Sequence, residues 1–237
     1  MKSVSDSPFE RNAPLFGEAG MKRLKEAHVL VVGLGGVGSH AVLALARSGV
    51  GQFTVVDDDR VDISNINRQA IAYHSTIRSN KTDLVEARIK DINKDAVVRK
   101  FTERYDETKR DRLFDVPYDH VFDCVDNVPA KLDLIKTAVS LGIPVLTSAG
   151  LGNRTDPSKV RTGNLFSLEG DPLARKLKKA LRKEGILEVE AVYSTEAPLK
   201  RAGIATPASC ALVPPVGGSH GAAHIIRIIT GGTVSSF

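Results

Sequence analysis

Two short apolar runs near the start of the chain have the length and composition of buried strands. His28–Val32 and Phe53–Val56 are rich in β-branched residues, and each ends at a turn signal, a glycine or a run of aspartates. Between them, Ser39–Ser48 has apolar residues at helical spacing and is followed by Gly49, a residue typical of helix ends. The order strand, glycine turn, helix, strand predicts a βαβ unit with parallel strands.

The same alternation continues as far as residue 150. The patterns that follow are helix Lys81–Ile92, strand Val97–Phe101, strand Val121–Val125, helix Ala130–Leu141 and strand Pro144–Thr147. We therefore predict an α/β fold, a doubly wound, Rossmann-like and mostly parallel sheet with helices on both faces.

The two ends of the chain differ from this central pattern. We assign residues 1–26 to an N-terminal helical arm and 27–237 to a single domain, of which 151–237 form a C-terminal extension. Within the extension, Val160–Leu168 has the pattern of a strand, and a charged helix begins after Asp171. The last seven residues, GGTVSSF, have the composition of a frayed end.

Composition narrows the function classes. Of 237 residues, 42% are hydrophobic and 26% charged, which excludes a disordered chain. The 33 basic and 28 acidic residues leave a net charge of +5, which permits a phosphate-rich partner without requiring one. Two cysteines and no C-x-x-C pair exclude a disulfide framework and predict no structural zinc. Because the sequence shows no secretory signal and no membrane span, we expect a cytoplasmic protein; a mitochondrial membrane anchor stays open if the natural chain is longer.

A glycine-rich turn joins the first predicted strand to its helix. Gly33, Gly35 and Gly38 complete the pattern G-x-G-x-x-G, in which backbone N–H groups and a helix N-terminus can meet a phosphate. Asp57 ends the second strand, where a carboxylate can accept hydrogen bonds from ribose hydroxyls. These features predict a nucleotide site. A turn that only packs strand against helix is the alternative, and a nicotinamide-dependent dehydrogenase is a fair interpretation of these residues alone.

A cluster of nitrogen donors favours a triphosphate over a dinucleotide. The segment Asn65–Gln69 (NINRQ) adds amide and guanidinium groups just beyond Asp57, and Lys81 begins the next helix. Arg and Lys offset the charge of a triphosphate and stabilise a departing pyrophosphate. A polar surface turn is the alternative for Asn65–Gln69. Asp126, at the carboxyl end of a later strand, is placed either to hold a magnesium ion or to cap the following helix.

Taken together, these residues resemble one enzyme family. The glycine turn, the aspartates 57–59, the strings Ser64–Gln69 (SNINRQ) and Asp123–Asn127 (DCVDN), and Lys81 are similar to the motifs of ubiquitin-activating-type (ThiF/MoeB-like) adenylating enzymes over residues 9–150. In that family a substrate carboxylate attacks the α-phosphorus of magnesium ATP, which gives an acyl-adenylate and pyrophosphate. The resemblance implies ATP and Mg²⁺ as cofactors and a homodimer.

The resemblance also implies roles for individual residues of this sequence. It implies catalytic roles for Arg68, Lys81 and Asp126, with the magnesium ion at Asp126. Arg11 is similar to the family's N-terminal arginine that reaches the ATP of the neighbouring subunit, and so is a fourth candidate. Contacts with ATP are implied for a further set, Gly33, Gly35, Gly36, Gly38, Asp57, Asp59, Asn65, Asn67, Gln69 and Asn127.

The second half of the sequence selects a branch of the family. It lacks the two C-x-x-C pairs for zinc that are usual in sulfur-carrier adenylyltransferases. Instead, Thr155–Val160, Asp171–Arg175 and Val192–Pro198 resemble segments of the tRNA threonylcarbamoyladenosine dehydratases, which adenylate the threonyl carboxylate of that nucleoside and let it cyclise. The resemblance implies a tRNA carrying threonylcarbamoyladenosine as partner, with 151–237 as the substrate- and tRNA-facing part of the adenylation domain.

A basic helix in this second half favours the same partner. With helical spacing, Leu173–Lys183 presents an apolar side and an opposite side made of basic residues, Arg175, Lys176, Lys178, Lys179, Arg182 and Lys183. Such a face predicts contact with tRNA phosphates and a steep loss of affinity with salt. A solvated helix face that only keeps the protein soluble explains the pattern equally well.

Other functions stay open on the sequence. The main alternative is an adenylyltransferase that activates the C-terminal carboxylate of a ubiquitin-like or sulfur-carrier protein. An inactive docking module is disfavoured because the nucleotide-binding residues are all present, and the dehydrogenase is disfavoured by the Asn65–Gln69 cluster. Cys124, inside an apolar strand, is predicted to pack in the core, and His220 and His224 to have a structural role.

Overall fold

A computed structural model describes residues 7–199 and 207–232, and within these ranges seven strands form a single sheet. The strands are β1 (His28–Val32), β2 (Gln52–Val56), β3 (Val97–Phe101), β4 (His120–Asp123), β5 (Val145–Ser148), β6 (Val160–Asn164) and β7 (Glu190–Ser194). Their order across the sheet is β3-β2-β1-β4-β5-β7-β6, and every neighbouring pair is parallel except β6 with β7. This order confirms the predicted doubly wound α/β fold.

Helices cover both faces of the sheet. They are α1 (Ala13–Glu26), α2 (Gly38–Arg47), α3 (Lys81–Ile92), α4 (Arg110–Leu113), α5 (Val128–Ser140), α6 (Pro172–Lys183) and α7 (Pro214–Thr230). Successive residues of β1 point to opposite faces, and each face is covered. Val29 belongs to a buried cluster with Leu45 of α2, whereas Leu30 belongs to a second buried cluster with Leu134 of α5. Burial on both faces explains why β1 is apolar at nearly every position.

Side-chain caps decide where two predicted strands end. β4 ends at Asp123, not at Val125, because the Asp123 carboxylate accepts a hydrogen bond from Val125 N and turns the chain. The predicted strand Val160–Leu168 stops at Asn164, whose side chain accepts from Phe166 N and starts a 3₁₀ turn. Strand β7 was not predicted from the sequence.

The N-terminal arm is helical only from Ala13, and it is kinked at Gly17, whose φ is 67°. Residues 1–6 of the predicted arm and residues 233–237 of the predicted frayed end lie outside the described residues. At the other end, α7 lies so close to the sheet and to α2 that two of its glycines leave no room for a side chain. A Cβ on Gly221 would lie 2.3 Å from the Phe122 ring, and one on Gly218 would lie 2.5 Å from Val37 O. None of the described helices combines the length and hydropathy that a membrane span requires.

Candidate active site

The candidate site lies where the strand order reverses. β1 has β2 on one side and β4 on the other, and the three strands are parallel, so their carboxyl ends meet at one edge. The glycine turn follows β1, Asp57 follows β2 and Asp126 follows β4. Doubly wound sheets bind ligands in the crevice at this position.

The glycines of the turn differ in what prevents or allows a side chain at each position. Gly33 has a φ of 92°, and a Cβ there would lie 2.7 Å from Cys124 O at the end of β4. A Cβ on Gly38 would lie 1.8 Å from Gly33 O, so this residue is needed to close the turn onto α2. At Gly35 only Gln69 Nε2, at 4.0 Å, would be near a Cβ, so the turn is open there to an approaching group. Gly36 is flanked by Pro214.

Asp57 is held beside the turn by three groups. Its carboxylate accepts from Leu34 N at 2.6 Å and from Asp59 N at 2.8 Å. Lys81 Nζ, on a side chain only 4% exposed, lies 3.5 Å from Asp57 Oδ1 and 2.5 Å from Asp59 Oδ2. Burial raises the pKa of the Asp57 carboxyl above its ordinary value, and the Lys81 charge opposes that shift. The structure therefore brings Asp57, Asp59 and Lys81 together.

The segment Asn65–Gln69 contacts the turn through its second half. The Arg68 guanidinium donates to Ser64 O and to Asn67 Oδ1, both at 2.9 Å, and Arg68 Cγ would be 3.4 Å from a Cβ on Gly36. Gln69 is 7% exposed, and its Oε1 is a buried oxygen without a hydrogen-bond partner among the described residues.

The two asparagines of the segment make bonds that hold the loop. Asn65 Oδ1 accepts from Asp62 N at 3.2 Å, in a small capping box. Asn67 Nδ2 donates to Ser209 O at 2.8 Å, which joins the segment to the chain just before α7. Side-chain hydrogen bonds therefore hold this loop in one conformation, in which Arg68 and Gln69 face the glycine turn.

Asp126 and Asn127 have separate positions at the end of β4. Asn127 is the residue that caps α5, because its side chain accepts from Ala130 N at 2.9 Å. The capping role considered for Asp126 therefore belongs to its neighbour. Asp126 makes no hydrogen bond or ion pair with any described residue, and it lines an open groove of about 450 Å³.

Arg11 lies at the far end of α2 from the glycine turn. Its neighbour Asn12 donates to Arg47 O at 2.8 Å, and Phe9 would be 3.6 Å from a Cβ on Gly49. Since α2 has 10 residues, it separates these contacts from the turn by about 15 Å. The structure does not bring Arg11 into the site of its own chain.

The basic side of α6 is confirmed as a surface, with one correction. Ala174, Leu177 and Leu181 are buried, and on the other side five cations are exposed: Arg175, Lys176, Lys179, Arg182 and Lys183. Lys178 does not belong to this open face, since it is half-buried and its Nζ donates to Leu168 O. The Arg182 guanidinium lies 5.3 Å from the centre of the Phe166 ring.

Two buried charged clusters near the site were not predicted from the sequence. Lys131 and Asp123 form an ion pair of 3.0 Å with both side chains fully buried, and Thr147 donates to the same carboxylate oxygen at 2.6 Å. Arg154 and Asp171 form a second pair at 3.1 Å, and Asp171 also caps α6. The sequence signal for such a pair is a charged residue between apolar neighbours in a predicted helix, such as Lys131 between Ala130 and Leu132.

Cys124, His120 and His224 fit structural roles. Burial raises the pKa of the Cys124 thiol well above its ordinary value, which disfavours the reactive thiolate. His120 and His224 pack edge to face with ring centres 6.1 Å apart. Burial lowers the pKa of both rings, that of His120 to about 3. No partner for His220 in a metal site is found among the described residues.

The fold and this site together define the class of protein: a doubly wound α/β protein with a glycine turn after β1, a carboxylate after β2 and cations beside them. The sequence profile of the ThiF family matches residues 9–236. The chain belongs to the ThiF family.

Known proteins of this family cover most of the chain. A tRNA threonylcarbamoyladenosine dehydratase of Bacillus subtilis (strain 168) is 41% identical over 192 residues, which are 81% of this chain and 76% of the relative. The enzyme of the same name from Escherichia coli (strain K12) is 35% identical over 80% of this chain and 74% of its own length. The crystal structure of the E. coli dehydratase TcdA in complex with ATP superimposes with a TM-score of 0.89, at 31% identity, over 96% of this chain and 97% of that one.

Proposed function

We propose that this protein is an ATP-dependent tRNA threonylcarbamoyladenosine dehydratase. The observation that carries the proposal is the meeting of the glycine turn, the Asp57–Lys81 pair and an unpaired Asp126 at one edge of the sheet. The similarity to the Bacillus and E. coli dehydratases, which covers about 80% of the chain, selects this reaction among the adenylations that such a site supports.

The residues present fit ATP. Gln69 Oε1 is a buried acceptor that lacks a donor among the described residues, and Nε2 of the same side chain lies 4.0 Å from a Cβ placed on Gly35. Such a buried acceptor is costly unless a donor binds it, so a ligand with N–H or O–H groups stabilises this arrangement. Asp57 is placed to accept from the ribose hydroxyls, and the open Gly35 lets phosphate oxygens reach backbone N–H groups.

Asp126 is the residue that would hold Mg²⁺. Magnesium sites in proteins use one or two carboxylates together with substrate phosphates, so a single unpaired aspartate beside a nucleotide is sufficient. Asp57, Asp58 and Asp59 have carboxylate oxygens within 4.8 Å of one another, but Lys81 already offsets their charge. When bound, the ion offsets the negative charge that develops on the reacting phosphates.

The chain's own residues then position the reactants and stabilise charge. The substrate carboxylate attacks the α-phosphorus, and pyrophosphate leaves; Arg68 and Lys81 offset its charge. A nitrogen or oxygen of the same substrate next attacks the activated carbonyl, a ring closes and AMP departs with one of the former carboxylate oxygens. Because the substrate supplies this nucleophile, no cysteine is required, in agreement with the raised pKa of Cys124.

A homodimer is part of the proposal. Arg11 is exposed and lies about 15 Å along α2 from its own glycine turn, so it can serve an ATP site only in another copy of the chain. An arginine that reaches the ATP site of a second protomer would offset phosphate charge there that the residues of one protomer alone leave uncompensated. Light scattering on the purified protein at assay concentration should therefore give twice the mass of one chain.

The exposed cations of α6 are proposed to contact tRNA phosphates. Helix α6, which carries them, packs beside α5, and α5 begins two residues after Asp126. The basic face of α6 therefore lies next to the candidate site, and its Lys176 lines the same groove as Asp126. Phosphate contacts of this kind make binding depend strongly on salt. Cytoplasmic location stays a prediction.

Exchange between pyrophosphate and ATP, measured in the presence of threonylcarbamoyl-modified tRNA, tests the adenylation step. Asp126→Asn should reduce the exchange rate about 100-fold or more, because a carboxylate in contact with the ion is lost. Asp95→Asn is the matched control, since Asp95 is exposed just before β3 at the opposite edge of the sheet. Normal exchange by Asp126→Asn would contradict the magnesium assignment. Exchange driven by a ubiquitin-like protein and not by tRNA would instead support the sulfur-carrier alternative.

A further inference from the structure

The groove beside Asp126 has a cationic side chain on its opposite wall. Its lining comes from the turn that starts α5 (Asp126–Pro129) and from the first turn and a half of α6, namely Pro172, Leu173 and Lys176. Among the exposed cations of α6, Lys176 is the one that lines this groove. The volume of about 450 Å³ lies in the range of small-molecule sites.

The walls of the groove are fixed by the packing of α5 against α6. Ile135 of α5 and Leu177 and Leu181 of α6 belong to one buried cluster. Further along the two helices, Lys136 Nζ and Glu184 Oε2 form an ion pair of 2.7 Å. The opening is therefore a feature of how two packed helices begin, not of a loose loop.

Asp126 and Lys176 are both available to a ligand. Neither side chain makes a hydrogen bond or an ion pair within the described parts of the chain, although they share one groove. Two other cations of α6 are engaged, since Lys178 donates to Leu168 O and Arg182 lies over the Phe166 ring. An unpaired cation facing an unpaired carboxylate across a groove fits an anionic ligand that is brought toward a metal-bound phosphate.

We propose that Lys176 binds the carboxylate of the threonylcarbamoyl group and presents it to the α-phosphorus of ATP, beside the Mg²⁺ ion that Asp126 would hold. This inference rests on the proposed function and names the part of the site that takes the modified base. A carboxylate has two oxygens, so one can accept from Lys176 Nζ while the other attacks phosphorus. The positive charge also favours the ionised form of the carboxylate, which is the nucleophile.

The same helix face suggests how the rest of the tRNA continues from the groove. Lys176, Lys179 and Lys183 recur at spacings of three and four residues, so they share one face of α6. Lys183 lies about 10 Å along the helix from Lys176. In this arrangement Lys176 contacts the modified nucleoside, and Lys179 and Lys183 contact the phosphates that follow it in the tRNA.

The two roles are separated by comparing Lys176→Ala with its matched control, Lys183→Ala. The first measurement is the affinity of each protein for one tRNA with and without the threonylcarbamoyl group, at fixed salt. The wild type should prefer the modified tRNA, and Lys176→Ala should lose about 10-fold or more of that preference. Lys183→Ala should weaken the binding of both tRNAs equally and keep the preference for the modified one. Lys176→Arg should keep most of it, since the charge remains.

The second measurement is kcat/KM for ATP-dependent dehydration, which Lys176→Ala should lower about 10- to 100-fold. The inference is overturned if the wild type shows no preference for modified tRNA, or if Lys176→Ala weakens both tRNAs equally, as expected for a phosphate contact. Failure of the proposed function looks different. In that case the wild type itself gives no dehydrated nucleoside with ATP and Mg²⁺.

Discussion

The buried ion pair between Lys131 and Asp123 allows a stability prediction of known size. Both side chains are fully buried and their charged atoms are 3.0 Å apart. Lys131→Met keeps the length of the side chain and removes the charge, so the Asp123 carboxylate stays buried with only Thr147 and Val125 N as donors. Breaking one partner of a buried pair costs about 3–5 kcal/mol. For a chain of this size that corresponds to a fall in Tm of about 6–20 °C.

The assay is thermal and urea unfolding of the ligand-free protein, followed by circular dichroism. Lys136→Met is the matched control on the same helix, because the Lys136–Glu184 pair is 42% and 37% exposed and such pairs contribute at most about 1 kcal/mol. The double variant Lys131→Met with Asp123→Asn should recover a large part of the loss, since no uncompensated charge remains buried. If Lys131→Met is no less stable than Lys136→Met, the reasoning is refuted.

Three further predictions use other parts of the structure. Gly35→Ala should weaken ATP binding without loss of stability, whereas Gly38→Ala should destabilise the fold because its Cβ would lie 1.8 Å from a backbone oxygen; calorimetry and unfolding separate the two. Burial lowers the pKa of His120 to about 3 in the folded protein, from near 6.5 in the unfolded chain. The free energy of unfolding should therefore decrease as the pH falls below 6.5, by up to about 1.4 kcal/mol per pH unit, and His120→Gln should flatten this slope in unfolding experiments. Removing Lys179 and Lys183 together should reduce the slope of log affinity for tRNA against log salt by roughly 1.5, and an unchanged slope would remove them from the interface.

The first half of the fold could be predicted because its signals are local. In β1, the glycine turn and α2, strand composition, turn residues and helical spacing all indicate the same structure. Strand β7 (EAVYS) is short, and its neighbours β5 and β6 are about 30–45 residues away, so no local pattern identifies it. Its place in the sheet depends on pairing that the sequence does not display.

The site shows the same division. Asp57, Lys81 and Asp126 could be placed at one edge because each follows a predicted parallel strand or begins a predicted helix. The Lys131–Asp123 pair could not, since it depends on how α5 is rotated against β4. The same holds for Lys178. Helical spacing places it with the other cations of α6, but its Nζ turns inward because it donates to Leu168 O.

The most direct test of the account is mass spectrometry of nucleosides from threonylcarbamoyl-modified tRNA after incubation with the protein, ATP and Mg²⁺. We expect the modified adenosine to lose the mass of one water only when ATP is present, with AMP and pyrophosphate formed in equal amounts. An unchanged nucleoside, from protein that still binds ATP and this tRNA, would contradict the central claim and assign the activated carboxylate to another substrate.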